Sequence, residues 1–207
     1  MYVILETTVP LRTFGGLRIQ HSKAMITTST YVAFLRGINV GGHHKLPMGQ
    51  LKQELQQLGC TNVITVLNSG NIIFTATTQP TASLAHQIAD HLERIFHFSV
   101  PTIVFTLHEL TALIALEPFK KVTLTKSIRR YVSLLQKNVT STLELPWQSA
   151  DASFTILLKT DRAIFSVIDL SEVKTPKAME RLEREFGQEI TTRNWNTIER
   201  IAKKLLA

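Results

Sequence analysis

Val63-Ile64-Thr65-Val66-Leu67-Asn68-Ser69-Gly70-Asn71-Ile72-Ile73-Phe74-Thr75 reads as two short strands around a tight turn. β-Branched and aromatic residues fill both arms, and Gly and Asn tolerate the positive φ that such a turn needs. On the N-terminal side, Leu51, Leu55 and Leu58 recur at helical spacing behind Pro47, and Gly59 ends the run. Before that helix, Tyr31 to Leu35 is short, apolar and β-prone, and a glycine-rich turn follows it. On the C-terminal side, Leu84, Ile88, Leu92 and Ile95 mark a second helix, and Pro101 to Thr106 is a fourth strand. The order is βαββαβ, that of a ferredoxin-like sandwich.

The pattern then repeats. Thr106 and Glu109 form a capping box for a connecting helix. Arg130 to Leu135 is a strand, and residues 140–150 are expected as a short helix bent or ended by Pro146. Phe154 to Leu158 and Ala163 to Ile168 are strands turned at Thr160-Asp161-Arg162. Thr175-Pro176 opens a helix with Met179, Leu182 and Phe186 inward, and Gly187 stops it. Glu189 to Thr192 is the last strand, and Asn196 with Glu199 caps a C-terminal helix. The expected fold is therefore α+β: two ferredoxin-like βαββαβ sandwiches from an internal duplication. The units are 30–106 and 129–207, the second with the C-terminal helix; a connecting helix and basic linker fill 107–128.

Residues 1–29 lack a period and carry Arg12, Arg18 and Lys23 against Glu6. No apolar core with a cleavage site marks a secretory signal. The segment is expected as a disordered extension or a start-site artefact, with Met25 a candidate start. The whole chain has 207 residues, 44% of them hydrophobic and 19% charged, which is globular rather than disordered. No run approaches the roughly 18 apolar residues of a membrane span. The net charge of +7 is a modest excess, not a polybasic stripe. Cys60 is the single cysteine, which excludes an internal disulfide and a multi-cysteine zinc site. A soluble, cytoplasmic protein is expected.

The unusual residues cluster in loops. In a βαββαβ unit, the loop after the first strand and the hairpin turn lie at one end. Here these are Arg36-Gly37-Ile38-Asn39-Val40-Gly41-Gly42-His43-His44-Lys45 and Asn68-Ser69-Gly70-Asn71. Gly37, Gly41 and Gly42 let backbone N–H groups approach a ligand, Arg36 and Lys45 add charge, and a helix N-terminus follows. The same glycines also suit a strand exit that simply turns. The stretch is neither a P-loop nor a dinucleotide fingerprint. In the second unit, Lys174, Lys177 and Arg193-Asn194-Trp195-Asn196 occupy strand exits at a shared end. Arg193 can grip a phosphate or carboxylate, Trp195 can stack on a base or fill the core, and Asn196 suits an N-cap. The ligand-binding candidates are thus Arg36, Gly37, Asn39, Gly41, Gly42, Lys45, Ser69, Asn71, Lys177, Arg193, Asn194 and Trp195. Cys60 reads as a small buried hydrophobe, and the histidines lack metal-ligand spacing. No metal or cofactor is expected.

Three stretches carry a family resemblance: YVAFLRGINVGGHHKLPM (Tyr31 to Met48), LNSGNIIF (Leu67 to Phe74) and TTRNWNTIERIAKKL (Thr191 to Leu205). Together with the element order, they resemble the uncharacterised bacterial family known as domain of unknown function 1697, over about 32–207. The resemblance implies a cytosolic α+β protein of two related subdomains and no established activity. It also implies a start near Met25. Relatives carry a glycine-containing stretch ending Gly-Arg-Ser-Lys before the helix of the second unit. Here Glu172-Val173-Lys174-Thr175-Pro176-Lys177 retains only the lysine, Lys177.

Three functions remain open. The leading one is a binding module for an anionic ligand, a nucleotide-like molecule or a nucleic acid end. The pI near 9.7 favours nucleic acid, while the absence of an RNP1 pattern opposes it. The second is an enzyme acting on a phosphorylated or carboxylated small molecule, with Arg36 and Arg193 on the anion and Asn39, Ser69 or Asn71 polarising the reacting group. Only His43 and His44 offer a base inside the motifs. The third is a structural or assembly role, in which the motifs are fold-defining turns that lock the halves together. No membrane partner is expected, and the oligomeric state is open.

Overall fold

The computed structural model describes residues 3–8, 21–41, 43–171, 175–187 and 189–205. Near the N-terminus, β1 (Val3–Thr8) and β2 (His21–Ile26) pair antiparallel in a sheet of their own. These strands fall within the segment expected as a disordered extension or start-site artefact. From Tyr31 onward, β3 (Thr28–Leu35) is buried without interruption. Both its faces are covered, which is why it reads as a continuous apolar run.

α1 (Met48–Gln57), β4 (Thr61–Val66), β5 (Asn71–Thr77), α2 (Thr81–Phe96) and β6 (Thr102–Thr106) follow. Their strands form an antiparallel sheet in the order β4-β5-β3-β6. Leu51, Leu55, Leu84, Ile88 and Leu92 project from the two helices onto Tyr31, Ala33, Leu35, Ile72 and Phe74. Glu54 and His91 pair at 2.9 Å between α1 and α2. The capping box at Thr106 and Glu109 is formed, and it starts α3 (Leu107–Ala115).

The second half comprises β7 (Ile128–Leu135), β8 (Trp147–Gln148), β9 (Phe154–Lys159), β10 (Ala163–Asp169), α4 (Thr175–Phe186), β11 (Ile190–Asn194) and α5 (Trp195–Leu205). Its antiparallel sheet runs β11-β7-β10-β9-β8. The short helix expected at 140–150 is absent: irregular chain and β8 stand in its place. Short polar side chains compete there for backbone bonds. The Ser141 hydroxyl accepts from Leu143 N–H and donates to Glu185, and Pro146 has no N–H to give.

The protein is thus α+β, with two main antiparallel sheets and five helices among the described residues. One face of the second sheet packs on Leu182 and Phe186 of α4. The remaining faces of both sheets meet in one shared core. It joins Val32, Phe34, Ile73 and Phe105 to Val132, Leu134 and Phe165, closed by Trp195, Ile198 and Ile201 of α5. None of the described helices is long and apolar enough to cross a membrane.

Candidate functional site

The loop after β3 is a folded object rather than slack chain. Gly37, Asn39, Gly41 and His44 all have positive φ. The Asn39 side chain accepts from Leu46 N–H at 2.8 Å and donates to the carbonyls of Leu46 at 3.0 Å and Asn68 at 2.9 Å. One amide therefore pins the loop to the hairpin turn. His44 stacks on Phe98 with ring centres 4.6 Å apart. His43, Lys45, Asn39 and Asn68 border an open hollow of about 500 Å³ ahead of α1. Gly42 and Lys174 lie outside the described residues, and so does the side chain of Lys177.

The hairpin turn is dictated by packing. A Cβ on Gly70 would sit 2.7 Å from Leu35 Cβ and 2.8 Å from Ile38 Cδ1, at a φ of +71°. The Asn71 amide is fully buried and donates to Val66 O and to Ser69 Oγ.

Arg193 was expected to meet a ligand; it meets the protein instead. It lies in β11, opposite Val132, and reaches across to the first half. Its Nε donates to Asn71 Oδ1 at 2.6 Å. Its Nη1 donates to Thr191 Oγ1 and Thr192 O, and its Nη2 to Leu35 O and Ser69 O. A guanidinium has five N–H groups, and all five are spent. Burial lowers its pKa to about 10, still far above neutrality, so it remains a cation. Ser69 and Asn71 are therefore ligands of Arg193.

Two further readings are decided beside it. Trp195 is only 6% exposed and packs edge-on against Phe119 and Phe165, so it fills the shared core. Asn194, not Asn196, caps α5: its Oδ1 accepts from Asn196 N–H at 3.0 Å. The Asn196 Oδ1 accepts instead from Arg130. Cys60 is buried, and burial pushes its thiol up to about 11, which fits a packing role.

Arg36 keeps its place among the candidates. One guanidinium nitrogen, Nη2, donates to Glu183 of α4 at 2.7 Å, with both side chains partly exposed. Among the described residues, no protein partner occupies its Nε or Nη1. Arg36 borders a cleft of about 470 Å³ where the edge strands β6 and β11 approach each other. Gln136, Thr102, Thr191, His86 and Glu189 are the other polar residues of its lining, and the alanines of α2 form an apolar wall. The Gln136 Oε1 is buried and has no hydrogen-bond partner.

Gln136 and Arg162 carried no sequence signal. Arg162, at the β9–β10 turn, donates to Leu135 O, Val104 O and Glu109 Oε1, each at 2.9 Å, and lies over the Phe105 ring. It is a second tie between the halves. Gln136 follows Leu135 at the end of β7 as Arg36 follows Leu35 at the end of β3.

A family model described as "Protein of unknown function (DUF1697)" matches residues 28–165. A conserved bacterial protein from Streptococcus pneumoniae is similar in structure, with a TM-score of 0.60 and 25% sequence identity. The likeness covers 86% of this chain and 98% of that one. No curated protein matches the chain.

Proposed function

The chain belongs to the DUF1697 family of proteins of unknown function, and from that premise we propose that it is a binding module for a small anionic ligand. The proposed seat is the cleft between the halves. The carrying observation is the free edge of the Arg36 guanidinium on a concave wall. A planar fork held on one side by a carboxylate can still receive an anion on the other.

We also read the halves as duplicated ferredoxin-like units. Numbered within its own half, and with the two-residue edge strand β8 set aside, each main sheet has the strand order 4-1-3-2. Tyr31-Val32 and Tyr131-Val132 hold matching register, and Thr106 and Asn194 each cap the helix after the last strand. The second unit has lost its first helix. A cleft at a pseudo-symmetric seam is a usual place for a ligand.

A small ligand fits this arrangement better than nucleic acid. The sheet faces that ferredoxin-like RNA binders expose are buried here against each other. Glu183 and Glu189 beside the cleft would repel a polyanion. Catalysis has less support: the cleft offers His86 as a base, and its side chain is 80% exposed. A structural role is the second reading, and the fully spent donors of Arg193 favour it.

Thermal unfolding of the full chain against phosphate, nucleotides, sugar phosphates and small carboxylates tests the proposal. A ligand at about 100 times its Kd adds about 2.7 kcal/mol, which raises the Tm of a chain this long by about 5–10 °C. Arg36→Ala is expected to abolish the shift, and Lys45→Ala to preserve it. No shift with any compound would leave the structural reading standing.

A further inference from the structure

We infer, building on the anion-binding reading above, that the seam cleft takes an amino-acid-type ligand: a monocarboxylate with an N–H donor beside it and a short apolar side group. The charge balance selects the carboxylate. The charge of Arg36 is already matched by Glu183 at 2.7 Å, which leaves only its free N–H edge, and Lys137, the nearest cation in sequence to Gln136, is paired with Glu189 at 3.2 Å. One remaining guanidinium edge suits one negative charge. A phosphate dianion would face two glutamates with no second unpaired cation from these residues.

The donor is selected by Gln136. Its Oε1 is an enclosed acceptor without a partner, and Gln136 lines the cleft that Arg36 also lines. Such an acceptor is costly unless a bound group donates to it. Arg36 and Gln136 occupy equivalent positions, each just beyond the last residue of a central strand, β3 and β7. The seam thus presents a cation from one half and an acceptor from the other. A carboxylate with a neighbouring N–H matches that pair.

The side group is selected by α2. Ala82, Ala85 and Ala89 offer no polar atom, and Ile103 adds apolar surface beside them. The volume of about 470 Å³ accommodates a free or N-acylated amino acid.

Calorimetric titration of the full chain with leucine, N-acetyl-leucine, 4-methylpentanoate and inorganic phosphate tests this. Leucine or N-acetyl-leucine is expected to bind, and which of them binds tells whether the donor is an ammonium or an amide. 4-Methylpentanoate, which lacks the N–H, is expected to bind at least tenfold more weakly, and phosphate not measurably. Gln136→Leu should weaken the N–H-bearing ligand about tenfold and leave 4-methylpentanoate unchanged; Arg36→Gln should weaken both. The melting temperature of each variant, read alongside, separates lost binding from lost folding. Equal affinity for N-acetyl-leucine and 4-methylpentanoate, or no effect of Gln136→Leu, overturns the inference. Binding of phosphate or a phosphorylated compound without the amino acids overturns it while sparing the anion-binding reading. No binding by any anion removes both.

Discussion

Arg193 occupies in β11 the register position that Phe105 occupies in β6, and both face the shared core. A guanidinium there is tolerable only with every N–H paired, because burying an unpaired charge is far costlier than burying a ring. Its partners lie up to 158 residues away in sequence, at Leu35, Ser69 and Asn71. Arg193→Met is expected to cost about 3 kcal/mol, since it orphans those acceptors. Urea unfolding should show it as a lower midpoint with an unchanged slope. Arg193→Lys should recover only part, because an ammonium cannot reproduce the fork. An unchanged midpoint in both variants would refute the clamp. The residue was legible as an oddity, but whether carbonyls or a ligand filled its donors was not.

At the scale of elements, the start of α3 shows how a local signal acquires a distant partner. Glu109 Oε2 accepts from Thr106 N–H at 2.7 Å, as the T-x-x-E spacing predicts, while its Oε1 holds Arg162 at 2.9 Å. Thr106→Ala is expected to cost about 1 kcal/mol, the worth of an N-cap. Glu109→Ala should cost about 2–3 kcal/mol, since it removes the cap partner and leaves the half-buried Arg162 without its carboxylate. A double-mutant cycle with Arg162→Met should then give a coupling above 0.5 kcal/mol; additive losses would show the two ends to be independent. The other cap lies at Asn194, two residues before the Asn196 that the sequence favours. Asn194 and Asn196 both suit the role, and the choice falls to strand pairing, which carries β11 as far as Asn194 opposite Tyr131.

Across the whole molecule, the shared core makes the halves interdependent. Val32, Phe34 and Phe105 from one sheet touch the same cluster as Val132, Leu134 and Phe165 from the other, so neither half can melt without exposing the other's apolar face. A single cooperative transition is expected, with the fluorescence of Trp195 in the shared core coinciding with far-UV circular dichroism. Two separated transitions would mean that the halves fold alone. The same burial closes the facing sides of the two main sheets to RNA.

Local chemistry is what the sequence by itself determined. The hairpin at Asn68-Ser69-Gly70-Asn71, the Leu stripe of α1 and the cap at Thr106 each rest on neighbours a few residues apart. The missing helix of the second unit marks the edge of that reach, since Ser141 is drawn away by Glu185 of α4. Tertiary structure alone decided which polar side chains were spent. Arg36, Asn71 and Arg193 look alike on paper as ligand groups. Folding brings an oxygen acceptor to every donor of Arg193 and a single carboxylate to Arg36, and it encloses the Gln136 oxygen with nothing to donate to it. A hydrogen-bonding group becomes available for function only where the fold leaves it unpaired, and for Arg193 three of the five pairing partners come from the other half of the chain.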